Sequence, residues 1–300
     1  MTERKLLFIV NPCAGMKKVA GYLSEIIQVF CAHKCVPTVL MTEYAGHAKE
    51  MSAKYASDYD LVVCAGGDGT LNETISGLLE KGINKPVGYL PCGTTNDLGS
   101  TLGLSRSLVR AATDAVTGTE RYIDIGSFNG RNFVYTASFG AFTKASYETP
   151  QNAKNVLGHL AYLLEGAKGL GQLKPTYARI VTDTETLEGE YLFGSVSNTT
   201  SLAGIITIDK GLVLLDDGKF ELLLVDMPKN ALEFSRLLIN LTQQRFGEML
   251  HLYNVSSMRM ETNEAMDWTL DGELEKSGCT AEIQNMTRAV RIIVPNEEEK

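Results

Sequence analysis

The sequence predicts two domains, an α/β N-terminal domain with a parallel sheet and a mainly antiparallel β-sandwich C-terminal domain. Its 300 residues exceed the usual size of one domain. Through residue 124, apolar runs alternate with helical patterns, which is typical of a parallel sheet covered by helices. Beyond it, short strand-like runs are separated by turn residues. We therefore assign residues 1–124 and the tail 291–300 to the first domain, and residues 125–290 to the second.

The elements of the first domain alternate between strand and helix. Four apolar runs predict its strands, namely Leu6–Val10, Pro37–Met41, Leu61–Ala65 and Val87–Leu90. Apolar residues at helical spacing predict three helices between them, namely Val19–Phe30, Ala45–Ala56 and Thr70–Leu79. The resulting order indicates a parallel sheet, because each strand is followed by a helix that returns the chain to the same end.

The second domain is predicted mainly from short strands. The clearest strand-like runs are Asn132–Phe139, Tyr177–Thr182, Tyr191–Val196, Phe220–Val225 and Val290–Val294. Two helices interrupt them, Asn155–Leu170 and Ala231–Gln243. The first of these helices has an apolar stripe flanked by lysines, which fits either packing in a core or contact with a bilayer surface.

Composition and charge exclude several classes of protein. The formal net charge is −8, whereas nucleic-acid binding needs a basic surface. No stretch approaches the roughly 18 consecutive apolar residues that span a bilayer, and the first apolar run is too short for a secretory signal. The six cysteines are scattered and are expected to be reduced. We expect a cytoplasmic protein that binds no nucleic acid and contacts a membrane only through a local patch.

Three glycine-containing loops follow predicted strands of the first domain. They are Asn11–Gly15, Gly66–Glu73 and Pro91–Asp97. Glycine leaves main-chain N–H groups accessible, and the N-terminus of the helix behind each loop carries partial positive charge. Ligands of open α/β sheets bind at the carboxyl ends of the strands, where these loops lie. The pattern therefore predicts a binding site for phosphate groups.

The common nucleotide-binding motifs do not account for these loops. The sequence contains no G-x-x-x-x-G-K-[ST] element, which excludes a P-loop. The dinucleotide fingerprint is also incomplete, because Asn72 stands where its third glycine is required. The motifs of protein kinases are missing as well.

The string Gly66-Gly67-Asp68-Gly69-Thr70, followed by Asn72 and Glu73, resembles the signature of the diacylglycerol kinase catalytic domain. This superfamily includes sphingosine, ceramide and bacterial lipid kinases and, more distantly, NAD kinases and phosphofructokinases. The other two loops are similar to the remaining motifs of the lipid-kinase branch. The resemblance implies a Rossmann-like, phosphofructokinase-like first domain and an enzyme that uses ATP and Mg²⁺.

The resemblance also implies roles for individual residues. Asp68 would lie closest to the phosphates and Mg²⁺ and take part in catalysis. The residues implied to contact ATP are Asn11, Pro12, Gly15, Thr42, Gly66, Gly67, Asp68, Gly69, Thr70, Asn72, Glu73, Gly93, Thr94, Asn96 and Asp97. The loop departs from its relatives at Cys13 and Ala14, where a hydroxyl is common. Whether Lys17 and Lys18 contact phosphate or only solvent stays open.

Two further sites are implied in the second domain. Asp271 would be the general base toward a lipid hydroxyl, with Glu273 orienting it, although Asp-Gly is also a common turn. Asp217, with the carbonyl groups of Leu214 and Lys219, would hold a structural Mg²⁺, although this segment too could be a simple turn.

We therefore interpret the sequence as that of an ATP-dependent lipid kinase. The predicted acceptor is diacylglycerol, which would yield phosphatidic acid. Phosphatidylglycerol, a sphingoid base or NAD remain alternatives, as does a non-catalytic nucleotide or lipid sensor on the same scaffold. Peripheral membrane contact is expected, and a homodimer is possible because dimers occur in the family.

Overall fold

A computed structural model describes residues 3–94, 96–140, 174–202, 206–207 and 213–296. The chain divides into an N-terminal unit, Met1–Asp124 with Arg288–Lys300, and a C-terminal unit, Ile125–Thr287. The strands, in chain order, are β1 Arg4–Val10, β2 Cys35–Met41, β3 Leu61–Gly66, β4 Val87–Pro91, β5 Thr119–Phe128, β6 Arg131–Phe133, β7 Thr136–Gly140, β8 Thr176–Thr182, β9 Thr186–Ser197, β10 Ser201–Leu202, β11 Ile206–Thr207, β12 Phe220–Asp226, β13 Leu250–Val255, β14 Ser257–Thr262, β15 Met266–Leu270, β16 Glu273–Ser277 and β17 Thr280–Val294. The described α-helices are α1 Lys18–Ala32, α2 His47–Tyr55, α3 Asp68–Glu80, α4 Asp97–Thr101, α5 Leu108–Thr117 and α6 Ala231–Gln243.

The N-terminal unit contains the predicted parallel sheet. Its strands lie in the order β4-β3-β1-β2, and every neighbouring pair is parallel. Ile292 of β17 also pairs in parallel with Val87. All residues of β3 and β4 are buried, as expected for strands covered on both faces. The carboxyl ends of four strands therefore lie along one edge of this sheet.

The core of the N-terminal unit explains why its helices form where they do. Phe8 of β1 meets Phe30 of α1 edge to face, with ring centroids 5.3 Å apart. Helix α5, which the strand and helix patterns above do not include, buries Ala111 and Ala115 in the same cluster. It begins at Ser107, whose hydroxyl accepts a hydrogen bond from the Arg110 N–H at 3.5 Å.

The C-terminal unit is antiparallel, which confirms the predicted fold class. Its principal strand order is β16-β15-β7-β9-β8-β14-β17, and β12 and β13 branch from β9. The first half of β9 pairs with β8, whereas its second half lies between β7 and β12. Side chains from both branches share one core, in which Trp268 packs between Phe128 and Phe139. This packing of strands against strands gives the unit its sandwich character.

Several predicted boundaries require correction. The run Asn132–Phe139 is divided between β6 and β7, because residues 134 and 135 form a bend that binds a carboxylate. The run Val290–Val294 is only the end of the long strand β17. The predicted helix Ala231–Gln243 is confirmed, whereas the predicted helix Asn155–Leu170 lies outside the described residues. Among the helices that the structure describes, none has the length and apolar character required to cross a bilayer.

Candidate functional site

The loop after β1 packs directly against the loop after β4. Gly15 has a φ of 56°, and a Cβ atom at this position would lie only 2.0 Å from the carbonyl oxygen of Cys92. An L side chain would therefore be strained twice, once by the backbone conformation and once by the clash. Glycine at position 15 is what allows the two loops to touch.

A second glycine contact brings in the loop after β3. A Cβ atom on Gly93 would lie 2.6 Å from the Cα of Gly67 and 2.8 Å from Oδ1 of Asn96. The main chains of the β3 and β4 loops thus approach each other without an intervening side chain. Together, residues 11–15, 66–70, 92–94 and 96–97 form one arrangement at the carboxyl edge of the parallel sheet, which we call the three-loop cradle.

Polar side chains hold the cradle in shape. Nδ2 of Asn11 donates to the hydroxyl of Thr70 at 3.1 Å, and Oδ1 of Asn11 accepts from the Cys13 N–H at 3.0 Å. Asn11 therefore ties the β1 loop to the first turn of α3. Thr70 also fills the space beside Gly66, where a Cβ atom would lie 2.3 Å from its hydroxyl oxygen.

Asn96 closes the third loop on itself. Its φ of 53° lies in the left-handed region, which asparagine tolerates better than most residues. Its side chain accepts from the Gly93 N–H at 2.8 Å and donates to the Gly93 carbonyl at 2.9 Å. The hydroxyl of Tyr89 donates to Asn96 Oδ1 at 3.2 Å. Asn96, predicted as an ATP contact, uses its side chain to shape the loop.

Asp68 lies buried at the start of α3, two residues before the predicted start of that helix. Its Oδ2 accepts from the Asp97 N–H at 3.2 Å, which links the β3 and β4 loops once more. Burial raises the pKa of the Tyr89 hydroxyl well above its usual range, and the negative charge of Asp68 adds to the effect. Tyr89 therefore stays protonated and remains a donor. The helix N-terminus favours a carboxylate at position 68.

Glu73, predicted as an ATP contact, bonds to main-chain N–H groups of another helix. Its two carboxylate oxygens accept from the N–H groups of Gly46 at 2.7 Å and Ala48 at 3.1 Å. These are N–H groups at the start of α2, where no residue of that helix provides an acceptor. Glu73 thus connects α3 to α2, and its contact with ATP stays a prediction. Asn72 accepts from the Ser76 hydroxyl at 3.1 Å.

The remaining predicted residues of the cradle region are placed as follows. Pro12 and Gly69 are half-buried, and Thr94 is exposed. Thr42 follows β2, where its N–H donates to the Val10 carbonyl at 2.8 Å. The side chains of Lys17 and Lys18 lie outside the described part of the chain.

In the C-terminal unit, Asp271 is the first residue of a two-residue hairpin turn. Asp271 and Gly272 both have positive φ, 50° and 89°, as a type I′ turn between β15 and β16 requires. The carboxylate of Asp271 is buried and accepts three main-chain hydrogen bonds. The donors are the N–H groups of Val134 at 2.6 Å, Tyr135 at 3.0 Å and Thr136 at 3.0 Å.

These three N–H groups orient the Asp271 carboxylate. Glu273 was expected to provide this orientation, but its carboxylate binds the guanidinium of Arg131 at 2.6 Å. Glu273 is the first residue of β16, where it opposes Leu270, and its carboxylate meets Arg131 of β6, so its orienting role stays a prediction.

The predicted cation site lies in the segment before β12. Asp217 Oδ1 accepts from the Lys219 N–H at 3.0 Å, and Gly218 has a φ of 82°, which together describe an ordinary turn. In the described residues, no three His, Cys, Asp or Glu side chains form a metal cluster. A cation here would depend on Asp217 and on the carbonyl oxygens of Leu214 and Lys219, an all-oxygen set that fits Mg²⁺.

Glu221, which the sequence analysis did not single out, is an unusual acid among the described residues of the C-terminal unit. It is 3% exposed on β12. Burial raises the pKa of its carboxyl to about 8, and the charge of Asp217 adds to this shift. Only one sequence signal could have indicated that Glu221 is buried, namely that it interrupts the apolar run Phe220–Val225.

Comparison with known proteins identifies the family. The family described as "Diacylglycerol kinase catalytic domain" matches residues 5–128, which include the three-loop cradle. A diacylglycerol kinase of Bacillus subtilis (strain 168) is 31% identical, over 98% of this chain and 98% of its own length. This chain belongs to the diacylglycerol kinase family. It is therefore an enzyme, a lipid kinase, and the resemblance found in the sequence is confirmed.

Other members of the diacylglycerol kinase family are similar over nearly the same length. A diacylglycerol kinase of Staphylococcus haemolyticus (strain JCSC1435) is 30% identical over 96% of this chain and 88% of its own. The crystal structure of a diacylglycerol kinase from Bacillus anthracis str. Sterne superposes with a TM-score of 0.75, covering 99% of both chains at 23% identity. The fold of the diacylglycerol kinase family thus extends through both units.

Proposed function

We propose that this lipid kinase transfers the γ-phosphoryl group of ATP to the free hydroxyl of diacylglycerol, forming phosphatidic acid. The observation that carries the proposal is the three-loop cradle. Gly15, Gly67 and Gly93 bring the main chains of three separate loops into contact, and helices begin behind these loops. Main-chain N–H groups of glycine-rich loops and helix N-termini bind phosphate through hydrogen bonds and partial positive charge.

The cradle supplies most of the catalysis that phosphoryl transfer needs. The transition state is loose, so the enzyme accelerates the reaction mainly by positioning the reactants and stabilising charge. Asp68 would hold Mg²⁺ beside the phosphates, and Asp217 with its neighbouring carbonyl groups would hold a second, structural Mg²⁺. Mg²⁺, when bound, neutralises charge on the phosphoryl oxygens.

Asp271 is proposed to accept the proton of the acceptor hydroxyl. The acceptor oxygen forms a bond to the γ-phosphorus, the bond from that phosphorus to the bridging oxygen of ATP breaks, and ADP leaves. The three N–H groups of residues 134–136 orient the carboxylate for this step. An aspartate carboxylate is a weak base, which suffices because little deprotonation is needed early in the transfer.

The acceptor lies in a membrane, so the enzyme must meet a bilayer surface during turnover. The acidic composition, with a net charge of −8, does not favour long-range attraction to anionic lipids. We therefore expect transient peripheral contact. A homodimer remains compatible with this arrangement.

The test is a phosphorylation assay with labelled ATP and Mg²⁺ on mixed micelles. Diacylglycerol, phosphatidylglycerol, sphingosine and NAD would be offered separately, and products identified by mass. The expected result is phosphatidic acid, formed only when Mg²⁺ is present. Preference for another acceptor would overturn the choice of substrate. ATP binding without transfer to any acceptor would contradict the catalytic role assigned to Asp271.

A further inference from the structure

A row of buried polar side chains crosses four neighbouring strands of the C-terminal unit. Cross-strand pairs define the row, since Thr136 opposes Ser197 and Ser197 in turn opposes Glu221. In the next register, Ser138 opposes both Ser195 and Thr269. Opposed residues of paired strands project from the same face of a sheet. We call this set the polar row, and its members are Thr136, Ser138, Ser195, Ser197, Glu221 and Thr269.

Each member of the polar row is at most 9% exposed. The hydroxyl groups of Thr136 and Ser195 lie 3.1 Å apart, which is direct contact along this face. Interior positions of sheets are usually apolar, and the opposite face follows that rule with Ala137, Val196 and Leu222. The polar row is therefore a departure from ordinary core composition.

Two groups of the polar row lack the partners that buried polar atoms normally have. Among the residues that the structure describes, Ser197 Oγ and Glu221 Oε2 are buried without a hydrogen-bond partner. These side chains directly oppose each other across β9 and β12. Such groups are unfavourable in a folded protein unless something else completes their hydrogen bonds. A polar ligand at this place would do so.

The polar row begins at the proposed proton acceptor. Thr136 donates its N–H to the Asp271 carboxylate, and the Asp271 N–H donates to the Thr136 carbonyl. On the same face, beyond the row, β12 continues with Leu223 and Val225, which belong to an apolar cluster. The face thus changes from polar to apolar with distance from Asp271, as an amphiphilic ligand would require.

We propose that Ser197 and Glu221, together with the polar row, bind the ester oxygens of a glycerol-based acceptor lipid. The inference rests on the proposed function, because it assumes that the acceptor hydroxyl reacts near Asp271. The serine and threonine hydroxyl groups, and the carboxyl group of Glu221 in its neutral form, donate to ester carbonyl oxygens, and none of the six members carries positive charge. A headgroup bearing phosphate would therefore find no cation among them.

The test compares two acceptors that share the reacting hydroxyl, 1,2-dioctanoylglycerol and its 1,2-dioctyl ether analogue. The ether lacks both carbonyl oxygens. A site built to hydrogen-bond its substrate discriminates against an analogue that lacks the bonding group. We expect wild-type kcat/KM to favour the ester by roughly tenfold or more, the ratio that about one hydrogen bond supplies.

Ser197→Ala and Glu221→Leu should each remove most of this ester preference and raise the KM for the ester, while the KM for ATP is unchanged. Glu221→Gln, which can still form hydrogen bonds, should retain part of the preference. The matched control is Ser277→Ala, because the hydroxyl of Ser277 is buried but already bonded to the Thr280 and Gly278 carbonyls. This control should keep the full preference whatever it does to stability.

Several results would overturn the inference. One is an equal kcat/KM of the wild type for the ester and the ether. Another is an unchanged ester preference in the Ser197→Ala and Glu221→Leu variants. A third is a Glu221→Leu variant in which only the dependence of activity on Mg²⁺ changes. A wild type that phosphorylates neither glycerolipid would instead overturn the proposed function, so the two failures are distinguishable.

Discussion

At the scale of single residues, the cradle and the proposed proton acceptor depend on very small distances. Gly93 approaches Gly67 so closely that a methyl group cannot fit, and Gly15 does the same with Cys92. Asp271 is held by three main-chain donors from residues 134–136, far away in the sequence. Each feature therefore gives a substitution with a defined consequence.

Gly93→Ala should separate the β3 and β4 loops, because its Cβ atom would meet the Cα of Gly67 at 2.6 Å. We expect a loss of about 1–3 kcal/mol in stability, typical of overpacking, and at least a tenfold rise in the dissociation constant for ATP. Denaturant unfolding and calorimetric titration with ATP would measure both. Gly21→Ala is the matched control, since its Cβ atom would meet nothing within 4 Å. Unchanged ATP affinity in Gly93→Ala would contradict the phosphate-binding role.

Asp271→Asn should abolish most lipid phosphorylation, with a loss of about 10²–10⁴-fold in kcat, the usual contribution of a general base. The amide has one acceptor oxygen, and its NH₂ group would face donors of residues 134–136. A destabilisation of roughly 1.5–3 kcal/mol should therefore accompany the loss. Steady-state kinetics below the unfolding transition and urea denaturation would separate the two effects. Full activity would exclude Asp271 as the proton acceptor.

At the scale of elements, helix α3 organises the N-terminal unit. Its first residue, Asp68, accepts from the β4 loop, and Glu73, one and a half turns later, accepts from the start of α2. One helix thus links three loops at the carboxyl edge of the sheet. Its N-terminus at Asp68 places partial positive charge within the cradle.

Glu73→Ala should destabilise the protein by about 1–2 kcal/mol, because two N–H groups at the start of α2 would lose their acceptor. Glu80→Ala is the matched control. Glu80 is also on α3 and also contacts α2, but through a solvent-exposed ion pair with Lys49 at 3.0 Å. Such pairs contribute little. Denaturant unfolding of both variants would measure the difference in their free energies of unfolding. Equal values would show that the hydrogen bonds of Glu73 to the start of α2 do not stabilise the protein.

At the scale of the whole molecule, the chain forms two units with separate hydrophobic cores, and each unit contains different residues of the predicted site. The N-terminal unit contains the cradle, and the C-terminal unit contains Asp271 and the polar row. The C-terminal unit also tolerates the buried acid Glu221. Buried acids lower the stability of a protein and are found mainly at binding sites. The burial of Glu221 also makes the free energy of unfolding depend on pH.

The burial of Glu221 raises its pKa from 4.5 to about 8, so its protonated form is favoured in the folded state. The contribution of protonated Glu221 to the free energy of unfolding is fully present below pH 4.5, decreases as the pH rises, and is lost above pH 8. In EDTA, Glu221→Gln should therefore lose less stability than the wild type between pH 5 and pH 8, by a difference on the order of a few kcal/mol. Urea denaturation across this range is the measurement. If the free energies of unfolding of the wild type and Glu221→Gln change equally with pH, the pKa of Glu221 is not raised by burial.

The sequence by itself determined the parallel sheet, the three loops and the turn at Asp271-Gly272. These features depend on local periodicity and on residues with special backbone freedom, which can be recognised within short stretches. The left-handed conformations at Asn96 and Asp271, for example, follow from residue types suited to them. Even the family could be identified from the order and spacing of the loops.

Only the tertiary structure decided which groups hold the side chains of the predicted site. Glu73 binds Gly46 and Ala48, Glu273 binds Arg131, and Asp271 is held by main-chain N–H groups more than a hundred residues away. Main-chain donors have no side-chain signature, so no sequence pattern marks them as partners. The polar row emerged in the same way. Its serines and threonines lie on separate strands, and only the register of the sheet brings them onto one face beside Glu221.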